Sequence, residues 1–156
     1  MKKKKDVIDL YRAYTSVKFT GVPTADRLVM LRNMRILKPI SDEYDALQMD
    51  ASERFKPDGY DELENEVMSL AGETVSPDIS RKVGKYNIQK AEYMKAMNDY
   101  LLGVYDKQTG KRTGGLLDEE HDLKMETISA EAFDKLVENN SGVDTNLLCV
   151  ISNYVK

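Results

Sequence analysis

Residues 28–51 read LVMLRNMRILKPISDEYDALQMDA. Within them Met30, Asn33, Leu37, Ile40, Tyr44, Leu47 and Ala51 follow one another at alternating steps of three and four, which places all seven on one face of an α-helix. A second stretch repeats the pattern with Ile79, Val83, Tyr86, Lys90, Tyr93, Met97, Tyr100 and Val104. Each stripe needs an apolar partner surface, and each carries one misfit, Asn33 in the first and Lys90 in the second. Thr24 is a good N-cap, with Pro23 just outside it and Asp26 in the first turn, so the first helix is predicted from residue 25 to about residue 55. Pro39 lies inside that span and removes one ladder hydrogen bond, at a cost of ~3 kcal/mol in a regular helix interior. The stripe stays in phase across it, with Leu37 and Ile40 three apart, which favours one kinked helix over two broken ones. A helix of about 31 residues is ~46 Å long, as long as a compact globule of this chain length. That length points to an elongated molecule or one that finishes its packing in an oligomer.

The rest of the chain is organised around these two helices. Residues 7–15 read as a short helix that ends in the β-branched, glycine-containing stretch 15–22. Lys56-Pro57-Asp58-Gly59 is a turn, and residues 61–70 make a short acidic helix. Ser76 caps the second long helix, with Pro77 at its first position. Residues 105–115 read as a hairpin tip with Gly110 left-handed. Leu123, Met125 and Thr127 alternate with polar residues as a short strand does. Ser129 and Asp144 cap two final helices. The predicted fold is mostly α with a small β part (α+β) in a single domain over 1–156. It comprises a mobile basic tail at 1–6, a long antiparallel helical hairpin over 25–104 and a small α+β part over 105–156.

At 156 residues the chain is long enough to bury roughly 68–70% of its unfolded surface without staples. No run approaches eighteen apolar residues, which excludes a membrane-spanning helix. The opening lysines lack the apolar block of a signal peptide, because Asp6, Asp9, Tyr11 and Arg12 interrupt it; a cytoplasmic location is expected. Cys149 is the only cysteine and sits in an apolar run, where a small buried side chain is expected. Charge is laid down in blocks: +7 over residues 1–40, −9 over 41–73, +4 over 74–115 and −6 over 116–156. Such blocks can satisfy each other when the chain folds back or meets a copy of itself.

Candidate chemistry is sparse. Gly110-Lys111 has Tyr105 where a phosphate-binding loop needs glycine and Arg112 where it needs Ser or Thr. Asp118, Glu119, Glu120, His121 and Asp122 are consecutive, so at most two could meet one metal ion. His121 is the only histidine, which leaves one candidate base. The carboxylates at 61, 62, 64 and 66 lack the apolar surroundings that raise a carboxyl pKa. No enzyme activity, metal or cofactor is therefore expected. Arg27, Arg32, Arg35 and Lys38 either bind an anion or neutralise the acidic block that follows them. A lone polar residue in an apolar seam sets register and partner number, and tyrosines on such a seam suit an interface. Asn33, Leu37, Tyr44, Tyr86, Lys90, Tyr93 and Tyr100 are thus the expected self-association or partner residues. The alternative is an ordinary hairpin core with tyrosine hydroxyls at its rim.

The run from Leu28 to Pro39, followed by Tyr44, resembles a small uncharacterised family of phage and prophage proteins in which a basic-Asn-x-x-x-Leu helix leads into a charged helical tail. The Leu101-Leu102 pair, the Ile128-Ser129 junction and the Leu-rich terminal helix extend the similarity; the glycine turn at 105–115 departs from it. The resemblance implies a phage-encoded protein and brings no catalytic residues. The expected function is non-enzymatic: binding to itself during virion assembly, or to a host factor. The alternative is a binder of a nucleotide-like anion or nucleic acid through Arg27, Arg32, Arg35 and Lys38.

Overall fold

A computed structural model describes all 156 residues, Met1–Lys156. The fold is mostly helical. In chain order it runs β1 (Lys2–Lys3), α1 (Lys4–Ser16), α2 (Thr24–Phe55), α3 (Tyr60–Ser69), α4 (Pro77–Leu102), β2 (Gly103–Asp106), β3 (Lys111–Gly114), a 3₁₀ turn (Leu116–Asp118), β4 (Glu120–His121), α5 (Ala130–Asn139) and α6 (Thr145–Ser152). α2 is one uninterrupted helix of 32 residues with Pro39 inside it. Pro39 lies on the exposed side, where water can satisfy the carbonyl that its missing N–H leaves free. The chain forms two compact units. One compact unit comprises Met1–Ala46 with Leu117–Lys156, the other Leu47–Leu116.

In the first unit Val7, Leu10, Ala13 and Tyr14 form the buried stripe of α1. They pack with Met30 and Leu37 of α2, Ala132 and Leu136 of α5, Ile151 of α6 and Ile128. The opening lysines are not a mobile tail. Lys2 and Lys3 pair antiparallel with His121 and Glu120, and Lys4 donates its backbone N–H to the Glu119 carbonyl at 2.7 Å. The acidic segment 118–120 supplies what the lysines need: Lys3 meets Asp118 at 2.7 Å, and the buried Lys4 ammonium meets Glu119 at 2.5 Å and Glu43 at 3.2 Å. No strand forms at 123–127; only Ile128 makes a bridge, parallel to Val155. Strand pairing is replaced there by a side chain, because the Asn33 amide takes both the N–H and the C=O of Glu126. Cys149 is exposed, not buried. At about 100° per residue α6 turns Leu147, Leu148 and Ile151 inward and Cys149 outward.

In the second unit α3 and α4 form the antiparallel pair. Tyr60 stacks on Tyr93 and Tyr86 with ring centroids 5.4 and 5.7 Å apart, and further along α3 Glu66 meets Lys82 at 3.3 Å. α2 joins this hairpin with its last turns only. Ser52 and the Tyr93 hydroxyl are 2.7 Å apart, and Phe55 lies edge-on to Tyr100. Lys90, expected in the seam of α4, is exposed with its ammonium 5.5 Å from the Tyr86 ring centre. Its neighbour Gln89 is half-buried in the same turn, with Oε1 shielded from solvent. The hairpin forms as read, with Asp106 opposite Lys111 and Gly110 at φ +66°. The Gln108 N–H and the Thr109 hydroxyl both donate to the Asp106 carboxylate and hold it below the usual range. Gly103, at φ +92°, passes the Thr113 carbonyl where any Cβ would collide.

Burial, and then the neighbouring Tyr86, push the Tyr60 hydroxyl up to about 12. Its folded value lies above its unfolded one. The stabilisation is therefore complete below about pH 10 and is lost as pH climbs towards 12, where the unfolded chain sheds a proton that the fold retains. Ultraviolet titration should show Tyr60 ionising last among the nine tyrosines, together with loss of helicity, and Tyr60→Phe should move that loss to higher pH. Unfolding that begins at the same alkaline pH in both proteins would contradict this.

Candidate functional site

The residues expected at a partner interface are mostly interior. Asn33, Leu37 and Tyr44 are buried in the first unit and Tyr86 in the second. Tyr93 and Tyr100 are half-buried against Ser52 and Phe55, and Lys90 alone of the seven is exposed. A helical stripe of this length has enough intrachain surface to cover it, and that surface takes it first. The basic quartet is split as well. Arg32 makes a bidentate pair with Glu126 at 2.7 and 2.8 Å, and Lys38 holds Asp42 at 2.6 Å. The Arg32 guanidinium keeps the Glu126 carboxyl below its ordinary range. Arg27 donates only to the Thr24 hydroxyl at 3.1 Å, and Arg35 has no ion-pair partner. The charge blocks cancel inside each unit, with 13 basic against 15 acidic side chains in the first and 10 against 12 in the second.

What remains on the surface of α2 is a face that the seam pattern passed over. Thr24, Arg27, Leu28, Leu31 and Arg35 fall within an arc of about 100° on the helix. Leu28 and Leu31 are each 51% exposed. With Phe19, Thr24 and Arg27 they line a mainly apolar recess of about 280 Å³. The opposite side of the same turns is bolted down: Asp26 accepts the backbone N–H and the hydroxyl of Ser129 at 2.8 and 2.9 Å, and Asn33 clamps Glu126. Phe19 is equally constrained. The Asn140 amide accepts the Lys18 N–H at 2.7 Å and donates to the Lys18 carbonyl at 2.9 Å, while Asn139 donates to the Thr20 carbonyl at 3.0 Å. Two asparagines at the end of α5 thus hold the loop that forms one wall. Two leucines among arginines, out of phase with the stripe, were the available signal in the sequence.

Other candidate groups are engaged or isolated. In α3, Glu64 accepts from the Tyr86 hydroxyl at 2.7 Å, while Asp61 pairs with Lys56 at 3.3 Å and Glu66 with Lys82. His121 lies in β4 with its Nε2 buried and without a hydrogen-bond partner. A polar recess of about 400 Å³ in the first unit is lined by Lys2, Asp6, Asp9, Val150, Asn153 and Tyr154, with the Lys2 ammonium 4.9 Å from the Tyr154 ring centre. No helix is long and apolar enough to cross a membrane. No family model, no curated protein and no solved structure matches the chain.

Proposed function

We propose that this protein is non-enzymatic and acts in the cytoplasm by binding another protein through the outer face of α2, with Leu28, Leu31 and Phe19 as the contact centre. The observation that carries the reading is the pair of half-exposed leucines beside a preformed apolar recess on a rigidly anchored helix. The resemblance carried by Leu28–Pro39, Tyr44, the Leu101-Leu102 pair, the Ile128-Ser129 junction and the terminal helix supports a phage or prophage origin. The competing reading, an anion binder, retains only Arg27 and Arg35 of its four cations, since Arg32 and Lys38 already hold carboxylates.

Each leucine is already about half covered, so burying the remainder is worth about 0.75–1.5 kcal/mol apiece, and losing both should weaken a partner roughly 10- to 100-fold. Tagged wild-type protein and the Leu28→Asp/Leu31→Asp variant should differ in what they capture from prophage-bearing cells. One partner should be recovered stoichiometrically by the first and lost by the second, while circular dichroism is unchanged. A partner held equally by both proteins would remove this face from the function.

A further inference from the structure

We infer that the occupant of this face is an acidic amphipathic helix of another protein, its apolar residues seated against Leu28, Leu31 and Phe19 and its carboxylates gripped by Arg27 and Arg35. The inference rests on the protein-binding reading above and names the partner's chemistry. α2 carries five cations. Three of them are spoken for within the chain: Arg32 by Glu126, Lys38 by Asp42 and Arg54 by Asp50. The two without a carboxylate, Arg27 and Arg35, are the two that flank the leucines. They are eight residues apart, about 12 Å along the axis. An approaching helix spans that distance in about two turns, presenting apolar residues at i, i+4 and i+7 with acids beside them.

No acidic side chain lies on this face between Thr24 and Arg35; Asp26 points the other way and is committed to Ser129. A partner with basic flanks would meet uncompensated like charge. Nucleic acid fits less well, because the space between the two cations is occupied by leucines and offers no further phosphate contacts. A second copy also fits less well. A strip of two helical turns is far below the roughly 2,000 Å² and more of an obligate dimer interface. The most acidic helix of the chain itself, α3, has most of its carboxylates engaged and only Met68 as an exposed large apolar residue.

The test uses the full chain and two synthetic helical peptides of about sixteen residues, with identical leucines and either glutamate or lysine flanks, read by fluorescence anisotropy at low salt. The glutamate peptide should bind at least about tenfold tighter than the lysine peptide. Arg27→Glu/Arg35→Glu should reverse that preference, and Leu28→Ala/Leu31→Ala should abolish binding of both. The arginines have no ion-pair partners, so their reversal leaves the fold intact, as circular dichroism should confirm. Equal binding of both peptides that still depends on the leucines would overturn the inference and leave the protein-binding reading standing. Failure of the glutamate peptide to bind would overturn the inference. So would a mixed-sequence oligonucleotide that displaces it through Arg27 and Arg35. Self-association abolished by Leu28→Ala/Leu31→Ala would assign the face to a second copy and equally overturn it.

Discussion

Replacing Asn33 by leucine or alanine should destabilise the protein by about 3 kcal/mol, which for a chain of this size lowers the melting temperature by roughly 6–12 °C. Asn33 is fully buried. Its amide donates to the Glu126 carbonyl at 2.8 Å, accepts the Glu126 N–H at 3.1 Å and reaches the Tyr14 hydroxyl at 3.4 Å. Without it a strand-like segment loses the only partner for both of its backbone groups at Glu126, and each unsatisfied group costs about 1–3 kcal/mol. Leucine is the informative substitution, since it keeps the branch at Cγ and adds apolar surface; if apolar burial dominated, it would be close to neutral. Asn33→Asp keeps the acceptor, loses the donor and buries a charge, so it should be at least as damaging. The adjacent Arg32 pairs with the same Glu126 through its carboxylate, but both side chains are about half exposed and the pair is screened by water, so Arg32→Ala should be the mildest of these changes. Urea denaturation of the four variants checks the order. An Asn33→Leu protein within 1 kcal/mol of wild type would sink the account.

The second large effect concerns Lys4, whose side chain is 1% exposed while Glu43 and Glu119 are 57% and 55% exposed. Burial pulls the ammonium pKa down, and the hydrogen bonds it donates to Glu119 and Glu43 more than offset that, so the net shift is upward. The stabilisation is therefore present below the ordinary lysine value and is lost as pH rises through the folded one. Removing both acids leaves a buried, unpaired cation, and Glu43→Ala/Glu119→Ala should cost about 3–5 kcal/mol. Removing the lysine instead leaves two solvated carboxylates, which need no partner. Lys4→Met alone should then be close to neutral, and added to the double variant it should recover most of the loss. Chemical denaturation of the three proteins measures this. A double variant that is nearly as stable as wild type, or one that methionine fails to rescue, would show that the ammonium escapes to water.

The helices and their caps were legible because their causes are local. Ser76, Ser129 and Asp144 each accept a backbone N–H two or three residues ahead, and a window of four residues contains the whole interaction. Asp106 and Gly110 shaped the hairpin for the same reason. The lysine run was misread because its partners Asp118 and Glu119 lie 115 residues further along the chain. Cys149 was misread because apolar neighbours in sequence need not share its face in an eight-residue helix. The expected partner residues are largely covered within the chain, because a stripe that wants cover does not say whose surface provides it. Leu28 and Leu31 escaped notice for the converse reason, since they look like spillover from the buried stripe beside them.

Periodicity, caps and turn residues were enough to establish the helices, the passage of α2 through Pro39 and the mostly α class, because all of these follow from interactions within a few residues. The division of the stripes between two cores, the burial of Lys4 and Asn33, and the pair of arginines left facing solvent beside two leucines required the folded chain. They depend on which groups meet across long separations, and spacing along a helix sets a side chain's direction without setting what stands opposite it.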